Sequence, residues 1–382
     1  MSVNLEDLRR EFPITEDWAY LNHATHGPFP RGTAESISKL AHAWQNPANL
    51  DHSENDRTTD AVRRMIAGLV NGDPDRVAFT CSLAESMALA ATGIDWADGD
   101  NCVIPEGEFP SVVYPFLNLE HRGVSVRFAP KGDDGHTSID RMRETADART
   151  RAVVLSHVEF RDGYRNDLSA LAALCREMDA LLIVDVTQAL GPCRVDVEST
   201  GVDVIAAHSY KWLMASYGVG VTHFSERAME RIRPTYAGRL SVDRDFEDHG
   251  YELRWRKGAD RYQTGGLNWI TLTGLKASLE LITALDITAI VQHGLDLTEQ
   301  VMEGAAAKGY SVVSSREASH RSSIVAFTSG SPERDEEIVA DLERQKVSVA
   351  LRGRGVRVSP YFYNSPDEVG ALIDALPALN GC

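Results

Sequence analysis

The chain has 382 residues, 43% of them hydrophobic, which is enough to bury a large core and indicates two or more domains. Its 39 basic and 56 acidic residues give a formal charge of -17, which argues against nucleic acid and anionic membranes as partners and is typical of an acidic cytosolic protein. No stretch approaches a membrane span, the N-terminus has no apolar signal core, and the five cysteines are scattered. We therefore expect a cytoplasmic protein with reduced thiols.

The middle of the chain alternates short apolar runs with helical patterns. Helices are predicted at Ser82–Gly93 and Ser111–His121, and Asp167 can cap a third helix in which leucines recur at helical spacing. Strands are predicted at Arg76–Thr80, Cys102–Pro105, Val124–Ala129, Ala152–Val158, Leu181–Val186, Val202–Ala207 and Gly218–Phe224. Several of these are apolar throughout, as in strands covered on both faces. The alternation predicts an α/β fold with a doubly wound, mainly parallel sheet, whose ligands bind beyond the carboxyl ends of the strands.

The pattern changes after about Asp260, where a long helix is predicted over Gly266–Ala284. Shorter strand and helix candidates follow at Tyr310–Val313, Ser322–Phe327, Arg334–Gln345, Val347–Ala350, Gly355–Ser359 and Pro366–Leu376. They predict a smaller C-terminal α/β domain built on an antiparallel sheet. We expect the large domain at residues 16–260 and the small domain at residues 261–382, with residues 1–15 packing near the small domain.

Two ionisable residues stand at or just after the ends of apolar strands. Asp185 closes the run LLIVD and is soon followed by Gln188, and Lys211 comes shortly after the run DVIAA. Taken singly, Asp185 and Lys211 are better explained by an ordinary ion pair or a solvated loop. Taken together they fit a sharper hypothesis. A lysine amine can form an imine with an aldehyde cofactor and later act as a base, a buried aspartate can keep a pyridine nitrogen protonated, and Gln188 can hydrogen-bond the ring hydroxyl.

Seven separated motifs occur in the order in which one known family carries them. They are YLNHATHGPFP (Tyr20–Pro30), FTCSLAESM (Phe79–Met87), EFPSVVYP (Glu108–Pro115), SHVEFRDGYRNDL (Ser156–Leu168), DVTQA (Asp185–Ala189), HSYKWL (His208–Leu213) and RVSPYFYN (Arg357–Asn364). In them the chain resembles the class V aminotransferase family of fold-type I enzymes that use pyridoxal 5′-phosphate (PLP). That family includes cysteine desulfurases, selenocysteine lyases, kynureninases and isopenicillin N epimerase-like proteins. The resemblance implies a PLP-dependent lyase or transferase in which Lys211 carries the cofactor as a Schiff base.

The resemblance also implies which residues hold the cofactor. The backbone N–H groups of Leu83 and Ala84 would face the phosphate, because a helix begins there. His208 and Tyr210 would add phosphate contacts, although a packed aromatic explains Tyr210 equally well. Phe109 stands where many relatives have a histidine that stacks on the pyridine ring, with a core phenylalanine as the alternative.

On the substrate side, the resemblance implies that Arg357 holds the α-carboxylate, which a guanidinium can bind through two parallel hydrogen bonds. A surface arginine is the alternative. Asn22, His23 and His26 would line the substrate entrance, although each could be a structural hydrogen-bonding residue. The segment Asp260–Asn268 resembles one that reaches into a neighbouring subunit, which implies a homodimer with shared active sites.

The reaction is less closely defined than the cofactor. Removal of the Cα proton by Lys211 can lead to transamination, epimerisation or loss of a β-substituent. Cysteine desulfurases need a cysteine shortly before the C-terminal arginine motif, but Val347–Val356 contains none and the nearest downstream thiol is Cys382. We therefore expect a C–S lyase without a catalytic cysteine, with a transaminase and then an epimerase as alternatives. A non-catalytic binding protein on this fold fits poorly with the combined cofactor residues, and the chain has no nucleotide-binding or metal-binding motif.

Overall fold

A computed structural model describes residues 5–243, 252–353 and 355–379. The strands are β1 Ala19–Tyr20, β2 Val77–Thr80, β3 Asn101–Pro105, β4 Ser125–Ala129, β5 Thr150–Ser156, β6 Leu181–Asp185, β7 Val204–His208, β8 Gly220–Phe224, β9 Ser311–Val312, β10 Val325–Thr328, β11 Val347–Ser348, β12 Ala350–Arg352 and β13 Gly355–Val358. The helices are α1 Leu5–Arg10, α2 Arg31–Ala43, α3 His52–Leu69, α4 Leu83–Gly93, α5 Pro110–Leu117, α6 Ile139–Thr145, α7 Leu168–Glu177, α8 Val197–Thr200, α9 Glu226–Arg231, α10 Trp269–Thr283, α11 Ile287–Ala307, α12 Pro332–Arg344 and α13 Pro366–Ala375. Among these described residues, no helix combines the length and the apolar character needed to cross a membrane.

The main sheet has the strand order β2-β8-β7-β6-β5-β3-β4. Neighbouring strands run parallel, except that β8 is antiparallel to both β2 and β7. Side chains alternate between the two faces of a strand, so Val153 and Leu155 of β5 join one apolar core, whereas Ala152 and Val154 join the other. Both faces of the sheet are therefore covered, and the predicted doubly wound, mainly parallel α/β fold is confirmed.

A second sheet has the order β12-β13-β10-β9, and all of its neighbouring strands are antiparallel. Its buried residues form a core with α11, α12 and α13. Helix α10 packs instead against α2 and α3, and its Leu272, Leu275 and Leu279 belong to the core of the main sheet. A division of the chain at residues 260 and 261 would therefore separate α10 from the elements that it packs against.

The N-terminal segment connects the two sheets. Strand β1 pairs in parallel with β11, and Asn22 forms an isolated bridge with Ser359 at the end of β13. Five residues later, the backbone N–H of Gly27 donates to the carbonyl of Tyr210, 3.0 Å away. A Cβ atom on Gly27 would lie 2.0 Å from the carbonyl oxygen of Lys211, so only glycine allows this close approach. The segment thus passes directly over the residues that follow β7.

Candidate active site

The carboxyl ends of β5, β6 and β7 meet at one edge of the main sheet. Ser156 pairs with Asp185, and Asp185 pairs with Ala206, two residues before the end of β7 at His208. Lys211 follows three residues later in the chain. On the other side of β7, His208 is in register with Gly220 of β8, which is in register with Thr80 at the end of β2. The turn into α4 therefore lies at the same edge of the sheet as the lysine and the aspartate.

Lys211 and Asp185 are both buried and influence one another's charge. Only 8% of Lys211 and 5% of Asp185 is exposed, and Lys211 forms no ion pair with any residue that the structure describes. Burial lowers the pKa of the Lys211 amine to about 8, although Asp185 opposes the shift. Burial raises the pKa of Asp185, which the N–H of Thr187 at 2.7 Å from its Oδ1 and the charge of Lys211 partly oppose. The two groups thus share one water-poor region in which each favours the other's charged form.

The ring of Phe109 lies beside the lysine amine, whose Nζ is 5.5 Å from the ring centroid. The edge of the Phe160 ring meets it with 5.3 Å between centroids. The backbone N–H of Phe109 donates to the carboxyl Oε2 of Glu108 over 3.0 Å, and the Ser156 hydroxyl donates to the same oxygen over 2.7 Å. Burial raises the pKa of Glu108 to about 7. Glu108, which sequence reasoning missed, therefore ties the position of Phe109 to the end of β5.

The turn into α4 has backbone donors without acceptors. The Ser82 hydroxyl caps the helix by accepting from the N–H of Glu85 at 3.1 Å. The N–H groups of Leu83 and Ala84 have no acceptor in the part of the chain that the structure describes. His208 is partly buried, its Nδ1 has no hydrogen-bond partner there, and burial lowers its pKa to about 4. Free N–H groups at a helix N-terminus form a natural site for an anion.

Tyr210 belongs to a cluster of aromatic rings near the lysine amine. Its ring stacks on that of Tyr217, with 4.2 Å between the centroids, and the His26 ring lies 5.7 Å from both. The Lys211 Nζ is 5.9 Å from the centroid of the Tyr210 ring. Tyr217 is 59% exposed and His26 is partly exposed, so this cluster reaches the surface of the chain.

Arg357 is a buried cation without an anion. It is 1% exposed, and it forms no ion pair with a described residue. One terminal nitrogen donates to the carbonyl of Phe160 over 2.6 Å, the other donates to the Thr25 hydroxyl over 2.7 Å, and Nε has no partner. Burial lowers its pKa to about 9. Because an unpaired buried charge is costly, this guanidinium favours the binding of an anion beside it.

His23 and Gln188 are both buried. The amide of Gln188 donates to the carbonyl of Ala24 over 3.0 Å and accepts from the Trp212 indole over 2.8 Å. The His23 ring has no exposed surface, stacks on Trp212 and hydrogen-bonds the Tyr363 hydroxyl at 2.8 Å. The His23 ring is therefore enclosed among aromatic side chains next to Trp212, and its part in a substrate entrance stays a prediction.

Asn22 is partly buried and faces the small sheet. Its amide nitrogen donates to the carbonyl of Val349 over 3.3 Å, whereas its Oδ1 is buried without a partner in the described chain. The residue thus joins the segment after β1 to the residue that precedes β12, and its Oδ1 can accept a further hydrogen bond. Cys382 lies outside the described residues.

Comparison with known proteins places this geometry in a family. The family model for class V aminotransferases matches residues 19–372. The chain belongs to this family. The class V aminotransferases are PLP-dependent enzymes, so this family member is one as well.

Its relatives are distant but similar in length. A probable cysteine desulfurase of Methanothermobacter thermautotrophicus is 26% identical to this class V protein, and the match covers 99% of both chains. An uncharacterised aminotransferase of Bacillus subtilis is also 26% identical, with 84% of this chain and 83% of the relative covered.

Solved structures share the fold. A cysteine desulfurase of Thermococcus onnurineus superimposes with a TM-score of 0.85 at 21% identity, over 97% of this chain and 96% of the other. A cystine C–S lyase in complex with its product cysteine persulfide superimposes with a TM-score of 0.87 at 22% identity, over 95% of this chain and 98% of the other.

Proposed function

We propose that this class V family member is a C–S lyase that removes a sulfur substituent from Cβ of a cysteine-like amino acid without using a protein thiol. The observation that carries the proposal is the buried, unpaired guanidinium of Arg357 close to the buried amine of Lys211. An anion site beside a reactive amine suits an α-amino acid. A cysteine desulfurase and a cystine C–S lyase among the similar proteins support the choice of a sulfur substrate.

The described residues fit the cofactor. The Lys211 amine would bind its aldehyde, Asp185 would face the ring nitrogen and Phe109 would pack on the ring. The N–H groups of Leu83 and Ala84 and the unpartnered Nδ1 of His208 would receive the phosphate, with Tyr210 beside them. Gln188 would contact the ring hydroxyl only through the amide hydrogen that is not given to Ala24. Bound PLP withdraws electrons from the substrate Cα, so that a proton can be removed there and a β-substituent can be lost.

Lys211 is the base in this proposal. Its pKa of about 8 leaves a substantial neutral fraction of the amine near neutral pH, and a neutral amine can take the Cα proton. Asp185 supplies a negative charge near the amine and keeps it from becoming a still weaker base. The aromatic rings of Phe109 and Tyr210 exclude water from two sides of the amine.

Arg357 orients the substrate. Its two hydrogen bonds to Phe160 and Thr25 fix the plane of the guanidinium, so an α-carboxylate meets a donor group that is already positioned. The oxygen of Asn22 has no partner in the described chain and can accept a hydrogen bond from the substrate at the same sheet edge. His26, which is partly exposed beside Tyr210, would lie at the solvent-exposed side of the candidate active site.

The positions of the thiols favour direct loss of the sulfur. Val347–Val356 contains no cysteine. Cys102, Cys175 and Cys193 are buried, and burial raises the pKa of these thiols to about 12, 12 and 11. Cys81 is exposed at the turn into α4, where burial and Glu85 raise its pKa. None of these four thiols is disposed to form a thiolate nucleophile, so the sulfur would leave with the electron pair of its C–S bond and take up a proton.

A homodimer with shared active sites belongs to the same proposal. Thr264, Gly265 and Gly266 are exposed, and the Asn268 amide lies 3.5 Å from the carbonyl of Tyr217. The exposed ring of Tyr217 and this segment therefore form one continuous surface next to the cluster around Tyr210. A second copy of the chain placed on this surface would cover the solvent-exposed side of the candidate active site.

The test is an assay of the PLP-loaded protein with L-cystine, L-cysteine and S-alkyl-L-cysteines, in which pyruvate, ammonia, sulfide and keto acids are measured separately. We expect pyruvate and ammonia to form without any added keto acid. Strict dependence on a keto acid would show transamination instead, and loss of optical rotation without pyruvate would show epimerisation. Light scattering of the same preparation gives the oligomeric state.

A further inference from the structure

A polar cleft with a volume of about 500 Å³ adjoins the candidate active site. It lies between the loops that follow β3, β4 and β5 and the hairpin of β12 and β13. Lys131, Arg161 and Arg352 line it, and none of the three forms an ion pair with a described residue. Unpaired cations are common on a surface, so what matters is how closely these three are brought together.

Lys131 and Arg161 converge over a glycine. A Cβ atom on Gly107 would lie 3.2 Å from Lys131 Nζ and 3.3 Å from Arg161 Nη1, so both charged nitrogens are close to one point. Gly107 has a φ of 81°, a conformation that other residues rarely adopt, and the absence of a side chain lets both charged groups approach its backbone. Two like charges held near one point repel each other, and an anion bound to both in the adjoining cleft would reduce that repulsion.

Arg352 connects this pair to the α-carboxylate site. In the hairpin, Ala350 is opposite Arg357 and Arg352 is opposite Gly355, so Arg352 and Arg357 are diagonal neighbours on one face of the sheet. Diagonal neighbours have their Cβ atoms about 7–8 Å apart. The stem of Arg161 packs over Gly353, where a Cβ atom would lie 3.3 Å from its Cδ. The three cations thus form one group beside Arg357.

Carboxylates also line the cleft, but most of them accept hydrogen bonds from the backbone. Asp134 accepts from the N–H of His136 at 3.0 Å, Asp162 accepts from the N–H of Tyr164 at 3.1 Å, and Glu106 accepts from the N–H of Lys131 at 3.4 Å. Asp133 is exposed. The carboxylates are therefore partly satisfied by their own loops, whereas the cationic groups are not paired with them.

We infer that Lys131, Arg161 and Arg352 bind a second anionic group on the substrate, so that this enzyme acts on amino acids whose sulfur substituent ends in a carboxylate. The inference rests on the proposed function, because Arg357 must hold the α-carboxylate for the far end of the substrate to reach the cleft. A carboxymethylthio group is a short substituent of this kind, so S-carboxymethyl-L-cysteine is a suitable probe.

The test compares two substrates that differ in one charge, S-carboxymethyl-L-cysteine and S-carbamoylmethyl-L-cysteine. In the PLP-loaded protein, Arg161→Met and Arg352→Gln should each lower the ratio of kcat/KM for the carboxymethyl substrate to kcat/KM for the carbamoylmethyl substrate about tenfold or more, which cancels any effect on the steps that the two substrates share. Arg122→Gln is the matched control, because this exposed arginine precedes β4 and lies at the opposite end of the strand from Lys131. Equal effects on both substrates would overturn the inference.

A binding measurement separates this inference from the proposed function. The compound 3-(carboxymethylthio)propionate lacks the amine and cannot react, so calorimetry reports only its affinity. It should bind the unsubstituted protein and Arg122→Gln equally and bind Arg161→Met and Arg352→Gln about tenfold more weakly, whereas 3-(methylthio)propionate should not distinguish among them. If no substrate is turned over but the variants bind 3-(carboxymethylthio)propionate more weakly as expected, the proposed C–S lyase activity is refuted and the anion site in the cleft is supported. If substrates are turned over but the variants bind this compound as tightly as the unsubstituted protein, the anion site is refuted and the proposed activity is not.

Discussion

Replacement of Arg357 by methionine should weaken substrate binding and leave the fold about as stable. The guanidinium is 1% exposed, and its pKa falls from 12.5 to about 9, which corresponds to a few kcal/mol against holding the charge in the folded protein. Methionine removes that cost and loses the two charge-assisted hydrogen bonds to Phe160 and Thr25, each of about 1.5–3 kcal/mol. Because the two effects are of similar size and opposite sign, we expect the free energy of unfolding in the absence of substrate to change little.

Catalysis, in contrast, should change strongly. A charge-assisted, two-point contact with a carboxylate is worth about 3 kcal/mol, so kcat/KM for an amino acid should fall roughly a hundredfold, chiefly through KM. Urea denaturation and steady-state kinetics on the same preparation measure both effects. Arg357→Lys is the control, because it keeps the charge but not the planar pair of donors. A variant that loses stability while its KM is unchanged would show that Arg357 only holds the carbonyl of Phe160.

Three further predictions concern the groups around the amine. Lys211→Ala should abolish the visible absorbance band of the lysine-bound cofactor, and a spectrum that keeps this band would contradict the assignment. In the cofactor-free protein the Lys211 pKa of about 8 lies below its ordinary value of 10.5. Between these two pH values the unfolded chain binds more protons than the folded protein, so the free energy of unfolding should rise by roughly 3 kcal/mol from pH 8 to 10.5. Denaturation as a function of pH should show a smaller rise in Lys211→Met, and equal rises in the two proteins would refute the lowered pKa. Glu108→Gln should lower the free energy of unfolding by about 1–3 kcal/mol, because an amide donor would replace an acceptor of the hydrogen bonds from Phe109 and Ser156. Thermal or urea denaturation measures this loss, and an unchanged midpoint would show that those bonds do not hold the loop.

The central features could be predicted from the sequence because they depend on local pattern. Strands β5, β6 and β7 each contain a continuous apolar run of four residues, and the parallel arrangement brings the residues that follow these runs to one edge of the sheet. The expectation that Asp185 and Lys211 lie near one another follows from this arrangement of the strands. The seven motifs then identified the family, which the match over residues 19–372 confirms.

Other elements escaped prediction because distant contacts decide them. Helix α11 contains Gly294 and Gly304, which weaken a helical pattern, but a Cβ atom at these positions would lie 2.2 Å from the Ser323 hydroxyl and 2.6 Å from Ile373. The sequence also gave no indication that Glu108 reaches Ser156, 48 positions away. Likewise, the sequence around His23 does not show that its ring packs among aromatic rings from remote segments of the chain.

The loop after β5 couples the two halves of the candidate site through one residue. The ring of Phe160 meets Phe109 beside the lysine amine, whereas its carbonyl holds the guanidinium of Arg357. Arg161 follows it directly and lines the polar cleft. A displacement of this loop would therefore move the ring beside the amine, the guanidinium of Arg357 and the polar cleft together. Because Glu108 anchors the preceding strand end and Phe109 at once, the geometry of the substrate pocket depends on the same hydrogen bonds that position the ring next to Lys211.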